Sequence, residues 1–362
     1  MTLSDIAGIR LQNQQLAGTQ MKSAVEMVEW MGAVQGQEYA QTKWGIGLRL
    51  PHLSDKDIEI ELNEGKILRT HLLRPTWHFV SAKDIYWILK LTAPRVHAVN
   101  SYMYRQLELD DKIFNRCNDI LVKTLHGGNQ LTRDDINEEF KKHNIIAKGH
   151  RLSYIMMYAE LERIICSGAR QGNQFTYALL DERVRYKKFL EEDNALAELT
   201  TRYFNSRNPA TAKDFMTWSG LTMTDCKKGI EMIKPPLEKN VIEQKEYFFI
   251  PKFSSPDKQA DKIYLLPIYD EFVMGYKDRS AIMPLNVNAP IRYDCMIVYN
   301  GQVIGTWKRT ILKNIIEMEY DFFKPLNKLQ SKLFDEAINH FSEFMNLKVN
   351  RIQLNQKGTN LY

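Results

Sequence analysis

Gln35 and Gln37 stand one residue apart, with Gly36 between them. In an extended backbone, residues i and i+2 project to the same side. The pair can then present two neutral amides to one small molecule such as a water. An amide donates and accepts hydrogen bonds but takes no proton at neutral pH. That chemistry suits a reaction whose leaving group departs without help from an acid. Gly36 lacks a side chain and permits close approach of another backbone or a ligand. The competing reading is an ordinary polar loop, because Gln12, Gln14, Gln15, Gln20 and Gln41 are also nearby.

The elements that must position this pair can be read from spacing. Met21, Ala24, Val25, Val28 and Met31 recur at helical spacing, and Gly32 ends that helix. Helical pattern resumes over 38–50 and closes before Pro51. Ser4 is expected to cap an opening helix, and Ser54 another that runs to about residue 63. Two strands, 67–73 and 76–80, flank Arg74-Pro75. Helices followed by a short hairpin predict a winged helix-turn-helix over 1–80. His71 and His78 lie in those strands. They are ligands, acid–base groups or, most commonly for such residues, hydrogen-bonded core histidines.

The same element order recurs twice. Over 81–185 a long helix begins at Ala82, is interrupted at Pro94 and continues to Leu125. A capped helix follows Thr132, and a helix over 151–165 buries Leu152, Ile155, Met156, Ala159 and Ile164. Arg151, Tyr154 and Tyr158 fall elsewhere on it, where they can meet a groove. Strands 166–170 and 175–179 are joined by a loop carrying Gln171 and Asn173. Over 186–253 helices are expected at 190–204, 212–219 and 222–233, with strands at 240–243 and 247–250. The remainder, 254–362, reads as a small mixed or barrel-like β-rich domain. It has strands at 262–267 and 293–299, a return after Asn300-Gly301, a helix over 327–345 and a strand over 349–354. Asp270 and Glu271 read as a structural turn. The expected fold is therefore mainly α with β wings (α+β), three tandem winged helix-turn-helix repeats plus a C-terminal β-rich domain.

Hydrophobic content of 44% and charged content of 26% are ordinary for a globular protein of 362 residues. No apolar run reaches the ~18 residues of a membrane span, and no secretory leader is expected. The four cysteines are widely separated, without CxxC or paired histidines. A disulfide framework and a zinc site are thus not expected, and no metal or other cofactor is. Between residues 141 and 190 ten basic residues face four acidic ones. That excess of +6 exceeds the +5 of the whole chain. It predicts either a solvated basic face or a phosphate-backbone footprint.

Six stretches together carry a family resemblance: AVQGQEYA at 33–40, LRPTWHFV at 73–80, FTYALLDERV at 175–184, PATAKDFMTWSGLT at 209–222, LLPIYDEFVMGYKDRS at 265–280 and NGQVIGTWKR at 300–309. With these the chain resembles the AlkZ-like proteins, bacterial winged-helix DNA glycosylases that excise bulky alkylated bases and unhook interstrand crosslinks. The resemblance implies three tandem winged helices and a C-terminal β domain around a concave DNA channel. The family signature of two glutamines flanking one residue lands on Gln35 and Gln37 as catalytic residues, with Thr76 and His78 as neighbours. Relatives carry a small or apolar side chain between the glutamines, so Gly36 implies a looser pair. Arg151, Tyr154, Arg170, Gln171, Asn173, Lys187, Lys188, Lys277 and Arg279 are the expected DNA contacts. The implied reaction is monofunctional hydrolysis of the N-glycosidic bond of N7-alkylated purines in double-stranded DNA. N7 alkylation makes the base cationic, so the bond breaks without protonation, through an oxocarbenium-like state. The expected protein is a cytoplasmic, nucleoid-associated monomer. The alternatives are a non-enzymatic DNA-binding regulator, normally a dimer on a palindromic site, and a protein-interaction scaffold.

Overall fold

The structure, a computed structural model, describes residues 2–250, 261–283 and 295–354. Helix α1 (Leu3–Asn13) is capped by Thr2 rather than Ser4: the Thr2 hydroxyl accepts the Asp5 N–H and the Asp5 carboxylate accepts the Thr2 N–H. Helix α2 (Ala24–Met31) starts behind the Ser23 cap and stops at Gly32, whose φ of 75° favours glycine. Strand β1 (Val34–Gln35), helix α3 (Tyr39–Arg49) and helix α4 (Asp55–Asn63) follow, the last with a Ser54–Asp57 capping box. Strands β2 (Ile67–Leu72) and β3 (Arg74–Ser81) turn at Leu73 and pair antiparallel with β1 in the order β1-β3-β2.

Helix α5 (Ile85–Gln106) runs through Pro94 without a break, contrary to the sequence expectation. Pro94 and Lys90 are both exposed, so the carbonyl that loses its N–H partner lies on the solvent side. The break comes instead before α6 (Asp111–Leu125), which Asp110 caps. After β4 (Leu131–Thr132) and α7 (Arg133–Lys142), helix α8 (His150–Leu161) ends four residues earlier than its apolar pattern indicated. Arg163 there has a φ of 63°, which no helix continues. Strands β5 (Ile165–Ser167) and β6 (Thr176–Leu179) form a sheet ordered β4-β6-β5. Next come α9 (Leu180–Arg183), α10 (Glu192–Arg207), α11 (Ala212–Ser219) and α12 (Met223–Met232), then the hairpin of β7 (Glu238–Ile242) and β8 (Lys245–Phe249).

The last part contains β9 (Ile263–Leu266), α13 (Glu271–Met274), β10 (Cys295–Tyr299), β11 (Gln302–Ile311), β12 (Ile315–Phe322), α14 (Lys328–Met345) and β13 (Lys348–Gln353). Among the described residues its sheet is open, in the order β13-β12-β11-β10-β9, with β13 parallel to β12 and the other pairs antiparallel. Strand β12 had no counterpart in the sequence reading. The first two residues of the strand expected over 293–299 lie outside the described residues. No described helix is long and apolar enough to cross a membrane.

Three apolar cores hold these elements. One joins α1–α4 to the five-stranded sheet and α14, where Trp44 packs on Phe341 and Phe344 and donates its indole N–H to the Leu265 carbonyl at 2.7 Å. A second gathers Trp87, Tyr203, Phe204, Phe215 and Trp218 around α5 and α10–α12. A third lies between α6, α7 and α8. Ala33 belongs to the second core and Val34 to the first. The chain therefore crosses a seam between two cores where it enters Gln35.

Candidate active site

Strand β1 pairs with β3 through Val34 opposite Phe79 and Gln35 opposite His78. It ends at Gln35, so the two glutamines differ in setting: Gln35 is 6% exposed, and Gln37 lies beyond the strand and is exposed. Both amides are nonetheless held against β3. Arg74 donates from Nη2 to Gln35 Oε1 at 2.8 Å, and the Trp77 N–H reaches Gln37 Oε1 at 3.4 Å. A guanidinium only donates, so the Gln35 amide oxygen is fixed toward Arg74.

The backbone between them is held by four hydrogen bonds. The Gly36 N–H donates to the Trp77 carbonyl at 2.7 Å, and Arg69 donates from Nε to the Gly36 carbonyl at 2.9 Å and from Nη2 to that of Gln37 at 3.3 Å. The Thr42 hydroxyl donates to the Gln35 carbonyl at 2.9 Å. The Gly36 α-carbon is pressed close to β3. A Cβ there would sit 3.0 Å from Phe79 Cδ1 and 3.1 Å from the His78 carbonyl carbon. The loose pair implied by glycine is thus replaced by a tightly seated one. Gly36 lets the loop lie flat on the strand, and hydrogen bonds supply the rigidity.

Beneath Gln35 lies a buried ionic cluster. Glu271, 1% exposed, accepts the Gln35 N–H on Oε1 at 2.8 Å. Its Oε2 pairs with Arg207 at 2.7 Å and accepts the Trp218 indole N–H at 3.1 Å. Arg207 also donates to the carbonyls of Met31 and Ala33 at 2.7 and 3.1 Å, and lies over the Trp218 ring. Glu271 and its neighbour Asp270, which pairs with Arg49 at 2.8 Å, are therefore more than turn residues.

His78 is fully buried. Its Nδ1 lies 2.9 Å from the Thr76 carbonyl, which only accepts, so Nδ1 carries the proton. Burial, and then the Arg74 charge, hold its pKa well below the ordinary histidine value. The ring is neutral, with a bare lone pair on Nε2. Neither this nitrogen nor the Thr76 hydroxyl has a hydrogen-bond partner among the described residues. On the other face of the sheet His71 pairs through Nδ1 with the buried Glu160 and lies against Trp77.

The remaining sequence-predicted residues divide into two groups. Lys277 and Arg279 line a cavity of about 500 Å³ together with Arg74 and Thr217, beside Gln35. Arg170 lies over Phe175 and Tyr39, and Arg69 lies between Phe175 and Trp77. This cation–aromatic stack ends at the Gln37 backbone. Asn173 lines a cavity of about 440 Å³ with Arg69 and Trp77, and Gln171 is exposed on the same loop. The other group is held elsewhere. The Arg151 guanidinium binds the carbonyls of Leu107 and Glu108 at the end of α5. Tyr154 packs edge-on to Tyr104, Lys187 pairs with Asp181 at 2.8 Å, and Lys188 lies over Trp87. Sequence reasoning missed Arg69, Arg74, Arg207, Trp218 and the role of Glu271. Arg74, Trp218 and Glu271 had a local signal, their places in the LRPTWHFV, PATAKDFMTWSGLT and LLPIYDEFVMGYKDRS stretches.

Comparison with known families defines what class of protein this is. A family model described as "DNA glycosylase AlkZ-like" matches residues 28–344. The chain belongs to the AlkZ-like DNA glycosylase family, and it is a DNA glycosylase. The solved structure of the Streptomyces sahachiroi DNA glycosylase AlkZ shares the fold. Its TM-score is 0.78 at 19% identity, covering 97% of this chain and 100% of that one. No curated protein sequence gives a match.

Proposed function

We propose that this glycosylase hydrolyses the N-glycosidic bond of N7-alkylated purines, bulky or crosslinked ones included, in duplex DNA, with Gln35 and Gln37 holding the attacking water. The observation that carries this reading is the anchoring of both amide oxygens on β3 by Arg74 and the Trp77 N–H. Each amide oxygen keeps a second lone pair. Such an amide can accept a hydrogen of the water or donate its NH2 to the water oxygen, and its oxygen can face the positive charge that grows on the sugar; a preorganised dipole does this without reorganisation. Neutral amides suffice because the cationic base leaves unprotonated.

In the same reading each of the first three helical groups with its strands is a winged-helix repeat, with boundaries near residues 80, 185 and 253. The loop carrying Gln171 and Asn173 and the cavity with Lys277 and Arg279 take the DNA backbone on either side of the glutamines. An open surface of this kind accommodates adducts too bulky to swing into a closed pocket. The test is to incubate the protein with duplex DNA containing N7-methylguanine or a larger N7 adduct and to measure released base. Release from both, abolished in a Gln35→Ala/Gln37→Ala double variant, supports the reading. DNA binding without release favours a non-catalytic role for the pair.

A further inference from the structure

The row of residues running across the first sheet at His78 consists of polar groups. Gln35 on β1 lies opposite His78 on β3, and Thr70 on β2 lies opposite it from the other side. Residues directly opposite in an antiparallel sheet share a face, and Thr76, two residues before His78, points to that face as well. His78 and Thr70 are fully buried. Yet His78 Nε2 and the hydroxyls of Thr70 and Thr76 have no hydrogen-bond partner among the described residues. Buried polar atoms are almost always paired, so three orphans beside one glutamine call for a polar guest.

An attacking water needs its lone pair aimed at the sugar. Both of its hydrogens must then rest on acceptors. The Gln35 amide oxygen supplies one acceptor, while the Gln37 NH2 can donate to the lone pair of the water that is not aimed at the sugar. Resting on the reading of the glutamines given above, we infer that His78 Nε2 supplies the other. In the reaction the bond from C1′ to the base nitrogen breaks and its electron pair passes into the base, cancelling the charge left by alkylation. The water oxygen bonds to C1′, and the proton it sheds passes to Nε2 and on to solvent. A protonated sugar hydroxyl is a far stronger acid than imidazolium, so even a weakly basic imidazole accepts it. The cations nearest the ring are Arg74 and Arg207. Both favour the neutral ring that this role requires.

The test compares His78→Asn, which keeps a donor near Nδ1 and removes Nε2, with His78→Gln, which places an amide oxygen near the Nε2 position. Single-turnover release of N7-methylguanine from duplex DNA is measured alongside duplex affinity and thermal melting. The same reaction in aqueous methanol gives the ratio of methyl glycoside to hydrolysed sugar, which reports how the nucleophile is held. The inference predicts that His78→Asn loses ~10- to 100-fold in rate. Methanolysis should rise and affinity stay unchanged, with His78→Gln recovering most of the rate. Wild-type rate and partition in His78→Asn, with Gln35→Ala inactive, would overturn the inference and leave the glutamine reading standing. Equal slowing in both variants with lowered melting temperature and unchanged partition also overturns it, since that is a structural histidine. Full activity in Gln35→Ala overturns both.

Discussion

The Glu271 carboxylate accepts the backbone N–H of Gln35 at 2.8 Å, across 236 residues of sequence. The bond fixes the strand from behind, leaving the amide side chain to be oriented by Arg74. Arg207 and Trp218 complete the coordination of Glu271, so the carboxylate is buried but fully paired. Such a pair is costly to break because the surviving partner keeps its charge. Glu271→Ala should lose about 3–5 kcal/mol in denaturant unfolding. An unfolding midpoint equal to wild type would show that the cluster does not support the strand.

Gly36→Ala tests how tightly the pair is seated. The added methyl meets Phe79 and the β3 backbone at 3.0–3.2 Å, and backbone yields little. The strain should cost about 1–3 kcal/mol and slow base release, with duplex affinity unchanged. A variant as stable and as fast as wild type would mean that the loop moves freely off β3.

The basic residues should behave in two classes. Removing one side chain that neutralises a phosphate lowers the slope of log affinity against log salt by ~0.9. Alanine at both Lys277 and Arg279 should flatten the slope. Arg151→Ala should lower the melting temperature and leave the slope unaltered, since its guanidinium is committed to the carbonyls of Leu107 and Glu108. Fluorescence anisotropy over a salt series, paired with thermal melts, separates the two.

His340 sets an acid limit on stability. Burial, and then the nearby Lys262, push its pKa down to about 4. The unfolded chain takes up this proton near the ordinary value of about 6.5, whereas the folded protein resists until about 4. Stability present above pH 6.5 is therefore lost as pH falls toward 4. After discounting for the partial exposure of the ring, about 1–2 kcal/mol is involved. His340→Phe should flatten unfolding free energy over that interval. An unchanged slope would place the acid sensitivity elsewhere.

What the sequence disclosed and what it hid follow from the range of the interactions. The helix ending at Gly32 and the Ser54 and Thr132 caps depend on neighbours within a few residues, and the local pattern states them. The first hairpin was expected too, but its turn falls at Leu73, and Arg74-Pro75, read as the turn, open β3. The glutamine pair was visible as a spacing, with family resemblance giving it weight. Its support was not visible. Arg74, Arg207, Trp218 and Glu271 converge on Gln35 from β3, α10, α11 and α13, and no local rule links them. Pro94 shows the opposite failure: a strong local breaker was overruled because its missing hydrogen bond falls on the solvent side of a helix whose other face is packed.

The central claim, that Gln35 and Gln37 hold the attacking water, is tested most directly by single-turnover base release from N7-methylguanine duplex, measured beside duplex affinity for Gln35→Ala and Gln37→Ala. Loss of one preorganised electrostatic interaction typically lowers rate ~10²–10³-fold, and in the proposed reading affinity comes from phosphate contacts made elsewhere. Each variant should therefore fall by about that factor with near wild-type affinity. The double variant should fall by less than the product, because either change alone releases the shared water. Release at the wild-type rate in both single variants would contradict the account.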